Sequence, residues 1–116
     1  MRHNFLNLEI WKRSRKLVKR IYQVTQSFPS EEKFGLSSQI RRCSVSVPSN
    51  IAEGCGRGTS PQLKHFLDIS IGSLCELETQ TYLSFDLDYF NQSTLKELID
   101  EITAIRKMTN SFKRGL

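Results

Sequence analysis

Eight cations, Lys12, Arg13, Lys16, Lys19, Arg20, Arg41, Arg42 and Arg57, carry the plainest chemistry in this 116-residue chain. Lysine and arginine neutralise phosphates, and backbone binding of this kind demands no fixed sequence pattern. The charge is uneven. Residues 1–60 hold 11 Lys/Arg against 4 Asp/Glu, a net of +7, and residues 61–116 hold 6 against 8, a net of −2. An electropositive half attracts polyanions or an acidic partner. It equally suits a subunit whose basic half meets its own acidic half or a neighbour's. Arg41 and Arg42 are adjacent, so on a helix they point about 100° apart. One is expected to reach a phosphate while the other pairs with an acid. Arg57 stands four residues after Glu53, a spacing that permits an ion pair within a helix.

Other chemistries find less support. Ser49, Asn50 and Glu53 cluster after Pro48. They suit either satisfaction of the carbonyls that proline releases, an inter-helix hydrogen bond, or a small ligand pocket. Gly54, Gly56 and Gly58 alternate, but the preceding strand and the following Gly-Lys-Ser/Thr of a phosphate loop are missing. Cys43, Cys55 and Cys75 match no zinc spacing, and His3 and His65 offer no paired position. The cysteines read as small core residues, and neither metal nor cofactor is expected. Glu76 and Glu78 face different ways on a helix, which is poor for a dicarboxylate site. No Glu-x-x-His pair exists for a di-iron bundle. Arg57 and His65 stand too far apart for the Arg–His spacing of helical-bundle ribonucleases. Trp11, Tyr22, Tyr82, Tyr89 and the seven phenylalanines have the chemistry to stack bases, yet most fall at core spacing. An enzyme is not expected.

These side chains sit on four apolar stripes at helical spacing. The first runs from about Asn4 to Phe28 through Leu6, Ile10, Leu17, Ile21 and Val24, with Ser14 in the one gap. Trp11, Val18 and Tyr22 widen it. Phe28-Pro29 stops it. The second takes Ser30 as N-cap, with Glu31 and Glu32 near the positive helix end and Gly35 in a loose first turn. It continues through Leu36, Ile40, Cys43, Val47, Ile51 and Cys55. Pro48 removes the hydrogen bond to the Ser44 carbonyl, so a kink is expected, or else two shorter helices broken near Val47. The third takes Ser60 as N-cap and Pro61 at the first position. It carries Leu63, Phe66, Leu67, Ser70, Leu74, Leu77 and Thr81, and mid-helix Gly72 suggests tight packing there. The fourth, capped by Ser93 or Asn91, carries Leu95, Leu98, Ile99, Ile102, Ile105, Thr109, Phe112 and Leu116. Short links make successive helices antiparallel neighbours. The expected fold is all-α, one domain over residues 1–116, an up-down four-helix bundle with a Pro-kinked second helix. The start, Met1-Arg2-His3-Asn4-Phe5, has no signal core, and no apolar run approaches the ~20 residues of a membrane span. A cytoplasmic protein without membrane contact is expected.

The run Gln39-Ile40-Arg41-Arg42-Cys43-Ser44-Val45-Ser46-Val47-Pro48-Ser49-Asn50-Ile51-Ala52-Glu53-Gly54 resembles the signature of the four helix bundle protein family, also called the 23S rRNA-intervening-sequence protein family. Phe66 to Gln80 and the pattern Trp11, Ser14, Leu17, Ile21-Tyr22, Thr25, Phe28-Pro29, Glu32, Phe34-Gly35-Leu36 agree with it, so the likeness spans nearly the whole chain. It marks Pro48, Ser49, Asn50, Glu53, Gly54, Gly72, Glu76 and Glu78 as structural motif positions. It implies a bacterial cytoplasmic protein assembled as a ring-like homopentamer. Some relatives are encoded within insertions in 23S rRNA genes, which does not make them ribosomal components. A related group assists reverse transcriptases, using a basic surface to bind nucleic acid. Ordinary members have no established activity. Asp86-Leu87-Asp88-Tyr89 departs from the family, where Leu-Gly-Tyr is more usual. The extra acid argues against a nucleic-acid surface at that turn.

The expected function is a homo-oligomeric scaffold that binds RNA or DNA, or a nucleic-acid-processing protein, through a basic surface. The alternative is a protein–protein scaffold whose charges meet at subunit interfaces.

Overall fold

The computed structural model describes residues 3–116; Met1 and Arg2 of the opening segment lie outside the described residues. Four helices follow one another: α1 (Glu9–Thr25), α2 (Leu36–Cys55), α3 (Ser60–Asp86) and α4 (Gln92–Arg114). Short 3-10 turns at Phe5–Asn7 and Ser30–Glu32 precede α1 and α2. Contacts between helices pair rising numbers with falling ones. Cys43 Sγ donates to the Ser73 carbonyl and Ser70 Oγ to the Val47 carbonyl. Arg13 meets Glu101 and Arg20 meets Glu97. These neighbours therefore run antiparallel, as short links require. The molecule measures 45 × 24 × 20 Å, and the 27-residue α3 alone spans about 40 Å of that length.

The helix starts differ from expectation in detail. α1 begins at Glu9, because Asn4 caps the 3-10 turn before it through Leu6 N. Ser30 does not cap α2; it opens the second 3-10 turn, and Gly35 stands at the N-cap with no capping side chain. Glu32 supplies what is missing, accepting from Leu36 N at 3.1 Å. Thr59, not Ser60, caps α3 by accepting from Gln62 N, with Pro61 in the first turn. Asn91 caps α4, accepting from Thr94 N at 2.9 Å.

The core is built from the four stripes. Ile21, Ile40, Val47, Ile51, Leu67, Leu74, Leu77, Leu98, Ile102 and Ile105 are all but fully enclosed, each contributing about 1.5–3 kcal/mol. Hydroxyls share that core without orphaned groups. Ser14, Thr25, Thr81 and Thr109 each donate to the carbonyl four residues back. These four are satisfied by their own helix, whereas Ser70 on the α3 stripe crosses to the Val47 carbonyl of α2. Leu6 and Tyr22 depart from the expected stripe and are exposed. Leu6 lies in the 3-10 turn, out of phase with α1, and Tyr22 lies under a cation, described below. Cys43 and Cys55 are buried, whereas Cys75 is exposed, contrary to the core reading of all three.

Pro48 lies inside α2, which runs unbroken from Leu36 to Cys55. The two-helix alternative is excluded. The glycines divide unexpectedly. A Cβ on Gly54 would stand 2.9 Å from Leu63 Cδ1 and from Phe66 Cβ, so the end of α2 presses closely on the start of α3 there. A Cβ on Gly72 would meet nothing within 4 Å. Tight packing within the chain therefore belongs to Gly54 and not to Gly72, which faces outward from α3.

Candidate functional site

The eight cations do not form one surface of equals. Arg13 forks onto Glu101 of α4, with Nε to Oε1 and Nη2 to Oε2 both at 2.8 Å, and its Nη1 reaches Met108 Sδ at 3.2 Å. Arg20 forks onto Glu97 at 2.7 and 2.9 Å. Paired donors of this geometry match a carboxylate. They hold Glu97 below its ordinary pKa, chiefly through the hydrogen bond from Arg20. Arg57 lies two residues past the end of α2, not within the helix as expected, yet it bonds back to Glu53 at 2.7 Å, and its guanidinium lies 4.9 Å from the Phe66 ring centroid. These three arginines bind α1 to α4 and close the end of α2.

Arg41 and Arg42 point apart, but among the described residues neither pairs with an acid. Arg41 turns toward α1, where its Nε donates to Thr25 Oγ1 at 2.7 Å and its guanidinium covers the Tyr22 ring at 4.7 Å. Arg42 is exposed, with no carboxylate within ion-pair reach among the described residues. Lys12, Lys16 and Lys19 are likewise exposed and unpaired among the described residues. Their numbering, four and then three apart, sets them on one stripe of α1. Lys16 and Lys19 also border a hollow shared with Glu9, Glu97 and Glu101.

The region around Pro48 is occupied by structural bonding. Asn50 Nδ2 donates to the Ser46 carbonyl at 2.8 Å, and Ser46 Oγ donates to Ser73 Oγ of α3 at 2.6 Å. Glu53 is engaged with Arg57, and Ser49 is exposed. A shallow apolar hollow of about 400 Å³ runs beside Pro48, lined by Trp11, Val18, Val45 and Ala52 among others. Arg15 and Ser49 are the polar residues that line it among the described residues.

Glu76 is exposed on α3 and Glu78 half-buried, so the two do not converge. Glu76 borders a groove with Arg42, Cys43 and Gln80. Burial, and then the nearby Glu76 charge, push the Cys43 thiol up to about 11, which leaves it protonated and unreactive at neutral pH. Among the described residues no group of three His, Cys, Asp or Glu side chains is placed to hold a metal ion. No described helix is long and apolar enough to cross a membrane.

One residue that the periodicity did not single out is Phe34. It is 89% exposed, ahead of α2, with Lys33 Nζ 5.5 Å from its ring centroid. Its position between Pro29 and Gly35, off every apolar stripe, was the available signal.

The sequence profile of the family described as 23S rRNA-intervening sequence protein matches residues 6–111. The chain belongs to that family. Its bundle is similar to the crystal structure of a protein of unknown function from the S23 ribosomal protein family of Bacteroides thetaiotaomicron VPI-5482. The TM-score is 0.83 at 23% identity, over 90% of this chain and 95% of that one. At that identity the likeness speaks for the fold. No curated protein matches significantly. Neither the description of the 23S rRNA-intervening sequence family nor that of the neighbour indicates an enzyme.

Proposed function

We propose that this protein is a self-assembling helical scaffold that binds the phosphate backbone of RNA or DNA through its first two helices. The carrying observation is the sorting of the cations. Arg13, Arg20 and Arg57 are taken by carboxylates, whereas Lys12, Lys16, Lys19 and Arg42 are exposed without acidic partners among the described residues. Cations that already hold the fold together are poorly placed to release for phosphate; the unpaired ones have no such constraint. Assembly of subunits, which the family resemblance implies as a pentamer, multiplies a modest charge into a strong field. Recognition is electrostatic and largely indifferent to base sequence. A cytoplasmic location fits such a role.

Fluorescence anisotropy with labelled RNA and duplex DNA over a salt series tests this. Binding at low salt that weakens steeply as salt rises is expected. Undetectable binding at low salt overturns it.

A second reading draws on α3. Ile69 and Leu83 are exposed on the stripe that carries Gly72 and Glu76. Such a face suits subunit contact, and the free lysines would then meet a neighbour's acids. Substituting Lys12, Lys16 and Lys19 with Gln separates the two. Light scattering that shows an unchanged assembly with weakened nucleic-acid binding supports the first reading. Dissociation of the assembly supports the second.

A further inference from the structure

A cleft of about 690 Å³ lies where the end of α1 meets the start of α2, and no carboxylate lines it. Its cations are Lys33, Arg41 and Arg42, and its aromatic walls include Tyr22 and Phe34. Arg41 is held in the wall by Thr25 and Tyr22. Lys33 and Arg42 are exposed at the rim. Phe34 stands beside them almost wholly in water. An exposed phenylalanine flanked by cations without carboxylate partners among the described residues, Lys33 Nζ lying 5.5 Å from the ring centroid, matches the two needs of one nucleotide in a single strand, a π-face for the base and positive charge for the phosphate. A duplex cannot use the ring, because its bases are already stacked inside the helix.

We infer that this cleft is a subsite for single-stranded nucleic acid, in which an unpaired base stacks on Phe34 and the adjoining phosphate lies between Lys33 and Arg42. The inference rests on the nucleic-acid reading above and adds to it a preference for unpaired strands. The neighbouring groove contains Glu76 beside Arg42 and Phe34. The strand is therefore directed to the acid-free side, across α1 and away from α3.

The test compares a labelled single-stranded oligoadenylate with a duplex of equal length, on the full chain and on Phe34→Ala and Phe34→Trp. Phe34→Ala is expected to lower single-strand affinity roughly tenfold and leave duplex affinity and the assembly mass unchanged. Phe34→Trp is expected to retain affinity and to lose fluorescence when the strand binds. Equal single-strand affinity for Phe34→Ala and the parent overturns the inference, while duplex binding that persists leaves the broader function standing. A change in mass by light scattering on Phe34→Ala overturns it too, and makes Phe34 a subunit contact. Displacement of the strand by adenosine triphosphate at matched phosphate concentration overturns it in favour of a free-nucleotide site. Absence of binding by both probes at low salt removes the broader function instead.

Discussion

Asp88 has φ 62°, the one non-glycine residue with positive φ among the described residues. Left-handed backbone costs a side-chain-bearing residue about 1 kcal/mol, and aspartate tolerates it better than most by bonding locally. The family resemblance points to glycine at this turn, which the geometry now explains. Asp88→Gly is expected to stabilise the fold by about 1 kcal/mol, read from the denaturant midpoint. The two helical glycines should respond oppositely to alanine. At Gly54 the new methyl would press on Leu63 and Phe66 at 2.9 Å, and a loss of about 1–3 kcal/mol is expected. At Gly72 the methyl enters open space, so alanine should gain up to about 1 kcal/mol from helix propensity. Thermal unfolding of both variants checks the contrast. A loss at Gly72 would mean that a second copy covers α3.

At the scale of elements, two polar ties hold parts of the bundle in register. On one side Arg13 and Arg20 grip Glu101 and Glu97 across α1 and α4. These pairs are partly exposed, so a double-mutant cycle on Arg20 and Glu97 should return about 0.5 kcal/mol, shrinking with salt. Because folding lowers the Glu97 pKa, this contribution is present above the unfolded carboxylate pKa. It disappears as pH falls through the folded value. Acid titration of stability, with Glu97→Gln as reference, reads that window. At the bundle end that carries the α1–α2 and α3–α4 links, Tyr89 OH donates to Glu32 Oε2 at 2.6 Å, and the Phe28 ring packs 4.9 Å from that of Tyr89. The carboxylate favours the neutral phenol and pushes Tyr89 up to about 12. The bond's support is therefore complete below the ordinary tyrosine pKa and is lost as pH climbs toward the raised one. Ultraviolet titration of phenolate should show Tyr89 ionising late, and Glu32→Gln should return it toward 10.

For the whole molecule the decisive quantity is net field, and three of the eight candidate cations already have their charge offset by carboxylates. The salt dependence of binding counts those that remain. Replacing Lys12, Lys16 and Lys19 with Gln should flatten the slope of log affinity against log salt by roughly 3 per subunit engaged on duplex DNA. Replacing Arg13 and Arg20 should loosen α1 from α4, with less effect on that slope. An equal flattening by both sets would show that the ion pairs open on binding.

How much of this was readable beforehand depends on the range of the interaction. Helix number, the amphipathic stripes and Pro61 near a helix start follow from local spacing, which belongs to the chain itself. So does burial of Ile40, Val47 and Leu74, since an apolar stripe has one stable place to go. The helix starts were legible only to within a few residues, because Thr59, Glu32 and Asn4 compete with near neighbours for the same free N–H groups. Which cation finds a carboxylate was not legible. Arg13 and Arg20 meet partners 88 and 77 residues away, while Lys12 and Lys16, one position before Arg13 and four before Arg20, meet none among the described residues. Helical rotation and the packing angle of α4 decide that, and neither is written in local spacing. For the same reason Gly54 and Gly72 look alike as residues, yet one touches its neighbouring helix and the other faces outward.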